Sequence, residues 1–229
     1  MNTRSLSFQV VMSVVLLAAG AAAWAQSTGR LYDPLPPDDS AYLRAVVVPP
    51  AADGAVMLDG KSRIAKLSAR MPGDYIVVPA GKHKMQAKPG GKAWLPVQID
   101  AAARGAYTVV FPSAAGKPYV FTDKTSTNRL KAMLAVYHVA PDAGAVDVVT
   151  ADGANNVFAG LKTGSPAILE VNPINVKLNI VAAGTTKVLA TVSLQMERGA
   201  AYSVFVFPAS GKKVAAVAFR NQRERYTGN

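Results

Sequence analysis

The chain writes one strand-forming phrase twice. Residues 104–112 read RGAYTVVFP and residues 198–208 read RGAAYSVFVFP. Other stretches match in the same order. Leu43 to Val48 aligns with Leu134 to Val139, AVMLDG (55–60) with AVDVVTADG (145–153), and DYIVVPAGKHKMQAKPGG (74–91) with AILEVNPINVKLNIVAAG (167–184). The offset at the RGA phrase is 94 residues, from 104 to 198. Whatever one copy folds into, the other must fold into as well.

The copies alternate apolar and polar residues with a period of two, and no stretch sustains a helical period. Val, Thr, Ile, Tyr and Phe cluster in short runs broken by Gly, Pro, Asn and Asp, which reads as an all-β protein. Asp59-Gly60 and Asp152-Gly153 are turn signals of the hairpin kind. Seven or eight strands per copy predict two tandem β-sandwich domains. In the repeated phrase, Tyr-x-Val-x-Phe alternation predicts a strand that buries every second side chain.

Residues 1–25 have the form of a cleaved signal peptide: Arg4, an apolar run from Val10 to Ala23, then Ala23-Trp24-Ala25 at the cleavage point. That run is shorter than the ~20 residues of a spanning helix, so the mature chain is expected to be exported with no transmembrane segment. The remaining divisions are a Pro-rich arm (26–39), a first sandwich (40–122), a polar linker (123–131), a second sandwich (132–219) and a basic tail (220–229) that reads as a solvated end.

The formal net charge is +11. Residues 40–122 hold eleven Lys/Arg against four Asp, whereas residues 132–219 hold six against five. In an exported protein a basic surface suits an acidic polysaccharide or anionic lipid and not nucleic acid. It also serves plain solubility.

Catalytic chemistry finds few residues to work with. There is no cysteine, which excludes thiol chemistry and cysteine-held metals. Only two histidines exist, His83 and His138. No Gly-Asp-Ser nucleophile setting, Asp-x-x-His base setting or Gly-x-Ser-x-Gly elbow occurs. His83 falls on the inward parity of a strand with Met85 and Ala87. His138 sits at a strand end near Asp142 and reads as a local hydrogen-bonding group, with Asp142 capping the Pro-Asp turn. A zinc site needs further ligands, and Asp147 with Asp152 lacks the spacing of a calcium loop. No metal, no cofactor and no catalytic residue are expected.

The surface candidate is KHKMQAKPGGKAWLPVQI, residues 82–99. Read as a hairpin, it turns Lys84, Gln86 and Lys88 outward, places Lys92 in the loop, and sets an outward Trp94 opposite Lys88. An aromatic ring beside Lys84, Lys88 and Lys92 suits a uronate chain, by stacking and by pairing with carboxylates. The same residues equally fit a protein-docking patch or guard lysines on an edge strand, as Pro96 suggests.

Two stretches carry a family resemblance. LAVYHVAPDAGAVDVVTADG (134–153) is similar to the opening of small secreted β-sandwich domains that read His-Ala-x-Pro-Asp-Ala-x-Ala-Val-Asp-Val. LYDPLPPDDSAYLR (31–44) resembles the mature N-terminus of the AlgF family of alginate O-acetylation accessory proteins. The resemblance implies a non-enzymatic adaptor, lying in the periplasm, in O-acetylation of an exported polysaccharide, alginate first. Its implied partners are a membrane O-acyltransferase and periplasmic SGNH-type acetyltransferases. Two alternatives stand beside it: an acidic-polysaccharide-binding module with no adaptor role, and the equivalent accessory protein of cellulose acetylation.

Overall fold

The computed structural model describes residues 35–209 and 213–227. The signal peptide expected over residues 1–25 lies outside these, as does most of the Pro-rich arm. Eight strands form in each copy. The first has β1 (Ser40–Val47), β2 (Gly54–Leu58), β3 (Lys61–Leu67), β4 (Ile76–Pro79), β5 (Gly81–Pro89), β6 (Val97–Ala101), β7 (Ala106–Phe111) and β8 (Tyr119–Asp123). The second has β9 (Ala132–His138), β10 (Val146–Thr150), β11 (Asn156–Leu161), β12 (Pro166–Val171), β13 (Asn175–Ala182), β14 (Val188–Gln195), β15 (Ala201–Ala209) and β16 (Lys213–Arg220).

The duplication extends to strand order. The sheet β4-β1-β7-β8 recurs as β12-β9-β15-β16, and β3-β2-β5-β6 recurs as β11-β10-β13-β14. In both copies the central pair of the first sheet, β1 with β7 and β9 with β15, is parallel. The chain is therefore all-β, with two tandem sandwiches.

Local chemistry accounts for the strand ends. Asp59 (φ 51°) and Gly60 (φ 80°) make the two-residue turn between β2 and β3, with Leu58 facing Lys61. Positive φ at both positions matches the right-handed twist of the flanking strands. The second Asp-Gly lies in a longer turn, closed by the Thr150 N–H on the Asn155 carbonyl at 2.9 Å.

The repeated phrase has a shared purpose. The Tyr107 hydroxyl accepts the Ala102 N–H at 3.0 Å, and the Tyr202 hydroxyl accepts the Glu197 N–H at 3.1 Å. Each tyrosine thus satisfies a loop amide five residues upstream, in the manner of a tyrosine corner. Gly105 keeps the approach open, because a Cβ there would stand 2.8 Å from the Tyr107 ring.

Burial differs from the expected alternation. All six residues of Ala106–Phe111 are buried, as are all seven of Ala132–His138. The reason is a third apolar layer. Each sandwich encloses its own core, the first around Leu43, Met85 and Phe111, the second around Leu134, Ile180 and Val204. Between them Val46, Val48, Val110 and Phe121 of one sheet pack against Tyr137, Val139, Phe205 and Phe207 of the other. The sheets β4-β1-β7-β8 and β12-β9-β15-β16 are covered on both faces, so their central strands have no solvent side. Four sheets stack in series.

The tail corrects another expectation. Residues 222–224 are not part of a solvated end but cross to the first sandwich. Tyr75 donates its N–H to the Gln222 carbonyl (2.9 Å), and Glu224 donates its N–H to the Tyr75 carbonyl (2.8 Å). The Glu224 carboxylate accepts the Val77 N–H and pairs with Arg63, and the Arg223 guanidinium lies 4.3 Å over the Tyr42 ring.

Candidate functional site

The two histidines are committed to the fold. The His138 Nε2–H donates to the Gly144 carbonyl at 2.7 Å, and Nδ1 accepts the Ala140 N–H at 3.3 Å. The ring thereby holds the turn Pro141–Ala143 against the end of β9. Burial keeps it neutral by pulling its pKa below 6.5, against the Gly144 hydrogen bond. Asp142 was expected to cap this turn; the position before it is Ala140 and no side chain caps it. Thr163 Oγ1 lies 3.3 Å from His138 Nε2 and also faces the Ala140 carbonyl.

His83 is set differently. Nδ1 faces Asp59 Oδ2 at 2.7 Å and Nε2 faces the Pro79 carbonyl at 2.8 Å. Both partners are acceptors, so only the doubly protonated ring satisfies them. Burial lowers its pKa, but the two hydrogen bonds and the Asp59 charge outweigh this and raise it above 6.5. The Asp59 carboxylate is held below its usual value: burial opposes this, and the bonds from His83 and the Lys84 N–H overcome it. Asp147 accepts the N–H groups of Gly160 in β11 (2.6 Å) and of Gly184 in the turn after β13 (3.0 Å). Among the described residues no group of three or more His, Asp or Glu side chains is placed to hold a metal ion.

The hairpin candidate is brought together only in part. Lys84 is exposed and Lys88 half-buried, and with Met57, Gly60 and Gln86 they line a depression of about 190 Å³ on the outer face of the first sandwich. Lys92 is exposed in the loop. Trp94, expected to face outward opposite Lys88, is instead turned inward and packs against the first core, while Leu95 is 45% exposed. The cause is that β6 begins only at Val97, after Pro96. The preceding residues follow their own path, with the Trp94 N–H on the Ala87 carbonyl and the Trp94 carbonyl accepting from Gln86. Strand parity therefore does not apply at residue 94.

Sequence reasoning missed a polar network at the seam between the sandwiches. Arg44 is 1% exposed. Its Nε donates to Thr108 Oγ1 (2.7 Å), one terminal nitrogen to Asn221 Oδ1 (2.9 Å), and the other to Tyr137 (3.2 Å) and Ser203 (2.8 Å). Asp123 accepts the hydroxyls of Thr108 (2.6 Å), Tyr75 (2.8 Å) and Tyr137 (2.5 Å). Ser203 completes the set by donating to Asn221 at 2.8 Å. Thr108 and Ser203 are equivalent residues of the two copies, one after Tyr107 and the other after Tyr202. Asp123 and Asn221 are equivalent too: one faces Ala106, the other donates its N–H to Ala201. Arg44 breaks the symmetry, since its counterpart in the second copy is Ala135. The signal was present in the sequence: an arginine in the otherwise apolar run Leu43 to Val48.

Above this network lies a cleft of about 600 Å³, bounded by the linker, the start of β15 and the tail. Lys124, Arg129, Lys131, Arg220 and Arg223 line it, and no described lining residue is a carboxylate.

Residues 13–203 match the model of a family described as Alginate O-acetyl transferase AlgF. The chain belongs to the AlgF family. A curated AlgF relative, the alginate biosynthesis protein AlgF of Pseudomonas aeruginosa strain PAO1, is 27% identical over 201 residues, which is 86% of this chain and 87% of the relative. The solved C-terminal domain of AlgF from P. aeruginosa is 25% identical and aligns with a TM-score of 0.34, covering 40% of this chain and 99% of that domain. Among the described residues no helix is long and apolar enough to cross a membrane.

Proposed function

We propose that this AlgF-family chain is a non-catalytic periplasmic adaptor in the O-acetylation of alginate. It acts beside a membrane O-acyltransferase and SGNH-type acetyltransferases, and it supplies surfaces to them. The observation that carries this reading is the commitment of both imidazoles. A general base needs a free nitrogen within reach of a nucleophile. His138 spends both nitrogens on backbone groups, and His83 spends both on Asp59 and Pro79. The family's description names acetyl transfer, and this chain's part in it is then assembly. The signal peptide reading supports the periplasm.

Two measurements on the mature chain test this. It should co-purify with an SGNH acetyltransferase of the same pathway, and alone it should turn over no acetyl ester. Turnover abolished by His138→Gln would overturn the reading, and so would a failure to associate with any acetyltransferase of the pathway.

A polysaccharide-binding role is the second reading, favoured by the exposed lysines 84 and 92 on the first sandwich. It requires that purified polyuronate bind the chain without other proteins, and that K84A, K88A and K92A together weaken it. The inward Trp94 removes the stacking ring from that site.

A further inference from the structure

We infer that the cleft between linker and tail is a docking site for an Asp/Glu-rich segment of a protein partner. The inference rests on the adaptor reading and names the surface through which it works. Five cations from three parts of the chain converge there: Lys124, Arg129 and Lys131 from the linker, Arg220 from β16 and Arg223 from the tail. Three have partners of their own. Arg220 pairs with Glu197 at 2.9 Å, Lys131 donates to Asn172 at 2.6 Å, and Arg223 covers the Tyr42 ring. Lys124 and Arg129 are exposed and, among the described residues, have no ion-pair partner. Asp123 adjoins Lys124 in sequence but is buried under three hydroxyl donors, so it does not serve the cleft. At the rim, Glu170 accepts from Ser126 at 2.5 Å, and Glu197 is taken up by Arg220. Like charges held together at a concave site favour an incoming group of opposite charge.

The choice of a peptide over a sugar acid follows from the lining. Aromatic side chains recognise sugar rings by offering a free face, and the one aromatic residue described in the lining is Tyr75. Tyr75 is 6% exposed, its hydroxyl is spent on Asp123, and the Arg44 guanidinium sits 4.4 Å over its ring. It offers no platform. The linker instead offers extended backbone: among the described residues Thr125 and Thr127 make no backbone hydrogen bond. An extended acidic segment could take its main-chain hydrogen bonds there and its charge pairing from Lys124 and Arg129. A cleft of about 600 Å³ holds several residues of such a segment.

The test uses the mature chain and fluorescein-labelled hexaglutamate, with hexaglutamine and a hexamannuronate oligomer as comparisons. Hexaglutamate should raise anisotropy at low ionic strength, bind more weakly as salt is added, and shift backbone amide resonances of residues 124–131 and 220–223. The double variant Lys124→Glu/Arg129→Glu should bind about tenfold or more weakly. Both positions are exposed, so its thermal unfolding should match the parent. Equal binding by the variant, absence of binding, or tighter binding of hexamannuronate at the same resonances would overturn the inference. If the variant still co-purifies with its acetyltransferase at full strength, the adaptor reading survives and the cleft is excluded as its surface.

Discussion

The Tyr137 hydroxyl, in the second sandwich, donates to the Asp123 carboxylate, at the end of the first, across 2.5 Å. Burial holds the phenols of Tyr137 and Tyr75 well above their usual pKa, so both remain donors over the working range of pH. Removing one donor from a buried acceptor costs more than the bond itself contributes. Tyr137→Phe should therefore lower stability by about 1–3 kcal/mol, read from the urea midpoint at unchanged slope. A loss within error would mean that water replaces the hydroxyl.

Arg44 is the centre of the same network, and its loss should be larger. Arg44→Met leaves Asn221, Ser203, Thr108 and Tyr137 without their shared donor. Breaking a buried charged network by removing one partner costs about 3–5 kcal/mol. Because Arg44 joins both sandwiches, the variant should also lose cooperativity, with two transitions where the parent should show one. A single transition at the parent's midpoint would show that the apolar layer alone couples them.

The repeated tyrosines offer a matched pair. Tyr107→Phe and Tyr202→Phe each remove one acceptor from a loop amide and nothing else of size. Each should cost about 1–3 kcal/mol, and the two costs should be similar and additive because the sites share no partner. Unequal costs would show that the copies no longer use the corner in the same way.

The two imidazoles should respond to pH in opposite directions. His83 has a raised folded pKa, so its contribution is complete below 6.5 and is lost as pH rises through the folded value. Its partner Asp59 has a lowered pKa, so its contribution is present above 3.8 and is lost as pH falls through the folded value. His138 has a lowered folded pKa, so its contribution is present above 6.5 and is lost on acidification. Histidine ring resonances should titrate on either side of 6.5, His83 above and His138 below. His83→Gln should remove the loss of stability on the alkaline side and, by taking away a bond that lowers the Asp59 pKa, shrink the acid-side contribution of Asp59 as well.

The fold was legible wherever one copy could be checked against the other. Two copies of a β pattern, Asp59-Gly60 at a hairpin and the repeated RGA phrase all correspond to features of the structure. The seam was less visible, although its mark is in the chain. Runs such as Leu134 to Val139 are apolar at nearly every position, which is how strands covered on both faces read. Reading them as simple alternation hid the third layer. Trp94 failed for a different reason: strand parity was carried across Pro96, where no strand exists. The Arg44 network was beyond pattern reading, since Thr108, Asp123, Tyr137, Ser203 and Asn221 are far apart in sequence and meet only once the sandwiches stack.

The tail laid across the first sandwich has a mechanical consequence. It closes the stack like a belt, so the halves cannot swing apart about the linker without first peeling residues 222–224 from Tyr75 and Val77. With sheets spaced ~10 Å apart, four layers put the outermost faces ~30 Å from one another. Enzymes gripping opposite ends of such a body would be kept at a set separation, as by a spacer block and not by a tether.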